Sequence, residues 1–305
     1  MIKFDAARTI IAIFVISLIS GYLSYSPTTN AQEPYSLGHE FTDCEACPIM
    51  VVVPKGSYMM GPLPGERPSI SDNEVRSQTS VTIPKDFAVG KFEVTKGQFA
   101  AFVSATGYEA NKSCLIDGFR SRAQNGDWRN PGFDQLDSHP VVCVNGNDAD
   151  AYVSWISRIA DKKYKLLSAE EWEYAARAGT TSTLYWGWFG NQCSHANGAD
   201  SAAKHEYPNL SPEAGLCHDG YVHTSQVGRY QANHFGLHDM IGNTWEWTEE
   251  CFTGDFSGRD CTTRILRGGS WASTFIDLRL ANYTWSYIQV GSTDRFGFRI
   301  ARALD

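Results

Sequence analysis

The string FGLHDMIGNTWEW (Phe235 to Trp247), followed by RGGSW (Arg267 to Trp271) and GFR (Gly297 to Arg299), leaves this chain few ways to fold. No helical or alternating period runs through it. Gly236 and Gly242 open backbone conformations that other side chains resist. Trp245 and Trp247 flank Glu246, with Asp239 upstream. Such a pattern reads as backbone folded tightly around something, held in place by buried aromatics.

The rest of the chain supplies short elements. Met50 to Met60 (MVVVPKGSYMM) reads as strand, Pro-Lys-Gly turn, strand, and Val81 to Val94 as a second, hairpin-like stretch broken at Pro84. Residues 61–80, rich in Gly, Pro, Ser and acids, read as a surface loop. Thr95-Lys-Gly-Gln98 is a capping box opening a helix that stops at Gly107. Residues 148–160 place Ala149, Tyr152, Val153, Ile156 and Ile159 on one helical face. Ser168-Ala-Glu-Glu171 caps a third helix, ended by Gly179. The expected fold class is α+β, with much irregular structure and no solenoid-type repeat.

The first residues are of export type. Lys3 and Arg8 flank an apolar run from about Ile10 to Leu23, and Thr29-Asn30-Ala31 offers a small-residue cleavage site. We read 1–31 as a signal peptide, 32–47 as an extended lead-in and 48–305 as one domain, with an uncleaved N-terminal anchor as the alternative. The chain is thus expected to be exported, periplasmic or secreted. Residues 32–305 carry a formal charge of −9, because 1–31 contains two basic residues and one acid. That balance argues against nucleic acid as partner, and against a membrane beyond the export signal. All eight cysteines lie in the mature part. An even count in an exported chain favours disulfides. Order along the chain suggests Cys44–Cys47, Cys114–Cys143, Cys193–Cys217 and Cys251–Cys261, though many other pairings are possible. Cys44-x-x-Cys47 also has the spacing of a redox or metal pair, but no second CxxC accompanies it.

From about Met50 to Arg302 the chain resembles the formylglycine-generating enzyme (sulfatase-modifying factor) family, on the motifs quoted above. The resemblance implies that family's C-type-lectin-related α+β fold. It also implies two structural calcium ions. One would take Asp239 and Glu246 with the carbonyls of Gly242 and Thr244. The other would take the Asn197 and Asp219 side chains with the carbonyls of Gly198 and Tyr221. Carboxylates mixed with carbonyls are the ligand set a hard cation needs.

The family's best-known enzymes bind copper between two cysteines and use oxygen to convert a sulfatase cysteine to formylglycine. Alignment on RGGSW puts Ser273 and Leu278 at those positions. Serine offers no soft thiolate and leucine no ligand, so no copper site is expected. Two family cysteines near the C-terminus are likewise replaced, by Tyr283 and Ile300. Iron-dependent relatives take three histidines from a helical-bundle domain that has no counterpart here. His234 and His238, beside Asp239, are separated by Gly236 and do not read as an iron site; His218 and His223 flank the second calcium loop. The chain looks most like the exported, pyoverdine-maturation branch, through HPVVCV (His139 to Val144), Cys193/Cys217 and Cys251/Cys261. The remaining cleft candidates are Trp245, Ser270, Trp271, Ser273, Arg279 and Arg295, a lining suited to a peptide-like or small acidic ligand. Two functions follow as expectations: oxidative tailoring of such a substrate without a copper–cysteine centre, or a non-catalytic, calcium-stabilised binding module. Sulfatase activation comes third.

Overall fold

The computed structural model describes Met1 and residues 36–66, 77–116, 124–187, 191–208, 210, 217–252 and 261–304. The body of the protein is the unit Tyr35–Asp305. The export-type segment, Met1 aside, lies outside the described residues. Among them, no helix is long and apolar enough to cross a membrane.

A strand buried on both faces cannot alternate polar and apolar residues, and MVVV does not. It forms β2 (Met50–Val53), with all four residues buried. Beside it lie β1 (Glu40–Phe41) and β5 (Phe87–Gly90), then β13 (Ile300–Ala303) and β8 (Tyr164–Leu166), in the order β1-β2-β5-β13-β8 with every pair antiparallel. Met50, Ala88, Leu166 and Ile300 enter one core, while Val51, Val53, Val89 and Ala301 enter the other. β1 draws part of the expected lead-in into this sheet.

The two early stretches do not form two hairpins. β2 pairs with β5, and β3 (Gly56–Met60) pairs with β4 (Thr79–Ile83). They make one long hairpin interrupted where Pro54 and Pro84 stand, at the ladder's missing rungs between Val53↔Phe87 and Gly56↔Ile83. Proline cannot donate to a ladder, so both fall at the break. Of the expected surface loop 61–80, residues 67–76 lie outside the described residues, and 79–80 are strand.

Helix α1 (Lys96–Thr106) has the Thr95/Gln98 capping box and the Gly107 stop read from the sequence. Helix α2 (Gly146–Ala160) starts two residues before the expected 148, because Asn145 and Asp148 form a second capping box. Its Ala149, Tyr152 and Ile156 are buried, Val153 is partly so, and Ile159 is exposed. Helix α3 (Ala169–Arg177) has the Ser168/Glu171 box but turns left-handed at Ala178, one residue before Gly179. A fourth helix, α4 (Ser201–Glu206), is capped by Asp200 and was not expected: six residues show no readable period.

Two small ribbons complete the first half: β3·β4, and β6 (Cys114–Ile116) with β7 (Gln124–Gly126). The second sheet has the order β11-β10-β9-β12, comprising β9 (Trp245–Cys251), β10 (Thr263–Arg267), β11 (Tyr283–Tyr287) and β12 (Phe296–Phe298). β12 runs parallel to β9, so the WEW and GFR motifs lie side by side, with Gly297 opposite Glu246. All eight cysteines are bridged, as Cys44–Cys47, Cys114–Cys143, Cys193–Cys217 and Cys251–Cys261. These are the pairs suggested by order along the chain.

Candidate functional site: two buried loops and a cleft without thiols

Entering β9, the chain passes through left-handed backbone at Asp239, Gly242 and Asn243. At Gly242 nothing larger than hydrogen fits: a Cβ there would lie 2.2 Å from the Asn197 carbonyl oxygen. Asn243 N–H donates to that same carbonyl at 2.9 Å. The two loops in which the resemblance would place calcium ligands are therefore packed directly on each other.

Glu246 is buried at the start of β9. Its Oε1 accepts from Arg299 Nη2 at 2.8 Å and Nε at 3.0 Å, and its Oε2 from Trp172 Nε1 at 2.7 Å. Arg299, fully buried, also donates to the carbonyls of Gly90 at 2.9 Å and His238 at 2.8 Å. Asp239 accepts from Gly228 N–H through Oδ2 at 2.6 Å, but its Oδ1 has no hydrogen-bond partner. Burial above all, with Glu246 adding repulsion, pushes its pKa up to about 6. Thr244 is buried and its hydroxyl has no partner. Glu93, buried just before the α1 cap, has no partner for either oxygen, and its pKa is raised by burial first and by Asp239 next.

In the second loop, Asn197 donates from Nδ2 to the His223 carbonyl at 2.9 Å and to Asn243 Oδ1 at 3.1 Å, leaving its own Oδ1 without a partner. Asp219 accepts from Tyr221 N–H at 2.8 Å and from the Tyr230 hydroxyl at 2.9 Å. Burial, and Asp200 next to it, push its pKa up to about 6. Cys193, Asp200 and Asp219 bring potential ligand atoms within 4.8 Å of one another, the one such trio among the described residues. The Cys193 sulfur is bridged to Cys217 and offers no thiolate. Gly198 packs against Leu278 and the Ser273 carbonyl. The loop residues therefore suit a hard cation: orphaned, buried oxygens of Asp239 and Asn197 point to a missing partner.

The cleft candidates divide. Ser270, Trp271 and Ser273 form one tight turn, in which Ser270 N–H donates to Ser273 Oγ at 3.1 Å. The Trp271 ring is fully buried, donates to the Asp294 carbonyl at 3.1 Å, and meets His223 edge-on at 4.8 Å. The Arg295 guanidinium lies 5.6 Å from its centroid. Trp245 instead enters the first core. Arg279 lines a separate cavity of about 180 Å³ with Met60, Ile265, Arg267 and Tyr283. A Cβ placed on Gly269 would touch both Leu278 Cδ2 at 2.5 Å and Ser273 Oγ at 3.4 Å. The two positions expected to replace thiols are thus neighbours across Gly269.

Of the histidines considered, His238 donates from Nδ1 to the Tyr230 carbonyl at 2.7 Å, while His234 is exposed. His218 and His223 lie by the second loop, where His223 Nε2 is 2.7 Å from the Tyr207 hydroxyl. Sequence reasoning missed Glu93, Trp172 and the role of Arg299. Arg299 was visible in the GFR motif. Glu93 left only a faint signal, a lone carboxylate between Phe92 and Val94.

Residues 38–304 match the model of the sulfatase-modifying factor enzyme 1-like domain. The chain belongs to the sulfatase-modifying factor family. It is 35% identical over 239 residues to the formylglycine-generating enzyme of Mycobacterium tuberculosis, covering 65% of this chain and 73% of that one. It is 30% identical to the inactive Cα-formylglycine-generating enzyme 2 of Mus musculus, covering 83% of this chain and 85% of that one. Among solved structures, PvdO from Pseudomonas aeruginosa superposes with a TM-score of 0.75 at 30% identity, covering 89% of this chain and all of PvdO. In this member of the sulfatase-modifying factor family, Ser273 and Leu278 stand where the resemblance places the copper-binding thiols.

Proposed function

We propose that this protein is an exported member of the sulfatase-modifying factor family that tailors a small or peptide-like substrate oxidatively, without a copper–thiol centre. The observation that carries the reading is the cysteine inventory. All eight sulfurs are spent in disulfides, and Ser273 and Leu278 occupy the turn where the pair of copper ligands is expected. The extended likeness to PvdO supports a placement in the pyoverdine-maturation branch rather than among sulfatase activators. Calcium, in this reading, occupies the loops around Asp239 and Asn197 and makes them rigid. The substrate loses two electrons and two protons, with dioxygen as acceptor and hydrogen peroxide as its product. Arg295, partly exposed above the buried Trp271 ring, would offer a cationic contact to a peptide-like ligand.

A second reading, a calcium-stabilised binding module without catalysis, is favoured by the inert Ser273–Leu278 neighbourhood. One comparison separates them. A strain lacking the protein should accumulate a peptide precursor carrying two hydrogens more than the finished product. Absence of that species, together with tight retention of the peptide by the purified protein, would replace the first reading with the second. A constructive control follows from the Gly269 contact. The double variant Ser273→Cys/Leu278→Cys should gain stoichiometric Cu(I) binding, measured by competition with a bicinchoninate probe, whereas the wild type should bind none.

A further inference from the structure

The ion pairs around Glu173 do not balance. Glu173, Arg177 and Arg267 are all buried. Glu173 Oε1 accepts from Arg177 Nη2 at 2.7 Å and its Oε2 from Arg267 Nη2 at 2.6 Å, so one carboxylate answers two guanidiniums. Among the described residues, no salt bridge links either arginine to a second acid. The other Nη contacts of Arg267 are to carbonyls, of Ala281 at 3.1 Å, Asn282 at 3.2 Å and Ala169 at 3.3 Å. Its Nε–H is buried without a partner. The cluster holds one positive charge more than its acid supplies, and a buried charge without a counterion is strongly unfavourable.

That surplus borders a cavity. It lies between the end of the β3·β4 ribbon, where Met60 pairs with Thr79, the first residue of α3, and strands β10 and β11, where Arg267 pairs with Tyr283. Gly61 ties the ribbon to the cluster: its N–H donates to Glu173 Oε1 at 2.8 Å, and its carbonyl accepts from Arg177 Nη2 at 2.9 Å. Arg279 lines the cavity as a second guanidinium beside Arg267 and keeps more of its surface open, 8% against 2%. Among the described lining residues Glu173 is the one acid, and Arg177 and Arg267 already share it. Met60 and Ile265 make the opposite chemistry, an apolar wall.

Size narrows the occupant. A cavity of about 150 Å³ holds benzene, so the volume of about 180 Å³ here takes one ring or one branched chain with its carboxylate. Sites for drug-sized ligands run to about 300–1,000 Å³. We propose that this cavity binds a small organic monocarboxylate, its charge against Arg279 and its apolar body between Met60 and Ile265. The anion matches the surplus charge of the Glu173 cluster, and arginine suits a carboxylate. The site is separate from the turn holding Ser273 and Leu278, and its occupancy does not depend on how that turn is read.

The test is calorimetric titration of the full chain with benzoate, with benzamide and sulfate as comparison probes. Benzoate should bind saturably, and the uncharged, equally sized benzamide roughly tenfold or more weakly, the scale of one charged hydrogen bond. Arg279→Gln should weaken benzoate by a similar factor. Ala281→Leu, which keeps the guanidinium and fills space, should also lose it, and decides the matter if Arg279→Gln fails to fold. Arg295→Gln, in the turn region beside Trp271, should bind benzoate like the wild type. Sulfate binding as tightly as benzoate would reduce the site to a patch of positive charge and overturn the proposal. So would wild-type affinity in both Arg279→Gln and Ala281→Leu, a loss confined to Arg295→Gln, or no benzoate binding at all.

Discussion

Arg299 joins four parts of the chain through its guanidinium: Glu246 on β9, the carbonyls of Gly90 and His238, and its own place between β12 and β13. Glu246→Ala would strand that guanidinium in the core. Removing one partner of a buried ion pair costs about 3–5 kcal/mol, and urea denaturation in EGTA should show a loss of that order even without calcium. A ligand-only role for Glu246 would make the loss calcium-dependent. A second residue-scale prediction concerns His139, which is buried with Nδ1 3.1 Å from the Thr224 hydroxyl. Burial first, then Lys96, holds its pKa below the ordinary 6.5. The unfolded chain therefore takes up a proton before the folded one does, and stability falls as pH drops below about 6.5. Melting between about pH 7.5 and 5.5 should decline less steeply in His139→Gln; an unchanged slope would assign the pH dependence elsewhere. Asp239 and Glu246 were legible as acids around a glycine turn. Glu246's partners were not, because Trp172 and Arg299 lie 74 and 53 residues away and no local pattern links them.

At the scale of elements, the three capping boxes show what local sequence can fix. Thr95/Gln98 and Ser168/Glu171 match the Ser/Thr-x-x-Glu/Gln pattern and were readable; Asn145/Asp148 makes the same two hydrogen bonds with shorter side chains and was not. Ser168→Ala should cost about 1 kcal/mol, seen as a lowered urea midpoint with an unchanged m-value. The strands within Met50–Met60 and Val81–Val94 were legible as strands, but their partners were not, and β9 to β13 were not read from any alternation in the sequence. Pro54 and Pro84 marked interruptions correctly, yet only the folded register shows that both interrupt the same long hairpin. Ile159 fits the helical face by spacing, but it lies in the last turn, where the core no longer reaches it.

For the whole molecule, cross-links hold loops whose irregular backbone gives few cooperative hydrogen bonds. The Cys114–Cys143 bridge spans 29 residues and the Cys44–Cys47 bridge only 3. Loop-closure entropy then assigns roughly 3.5 kcal/mol to the first and roughly 1.5 to the second. Paired alanine variants, compared by chemical denaturation, should lose stability in that order; equal losses would show that strain rather than closure sets the effect. The pairing itself followed chain order, since each bridge closes a local loop. The placement of Arg279 in a cavity apart from Trp271 had no such cue, since it depends on how β10 and β11 meet the segment after Gly269.

The last strand, β13, is inserted between β5 and β8 rather than added at an edge. The central sheet consequently has a gap until residues 300–303 exist, however long the preceding chain has been available. The sheet can therefore close only once residues 300–303 have joined β5 and β8, which lie more than 130 residues earlier in the chain. Until then β5 and β8 each lack the neighbour that joins them into one sheet.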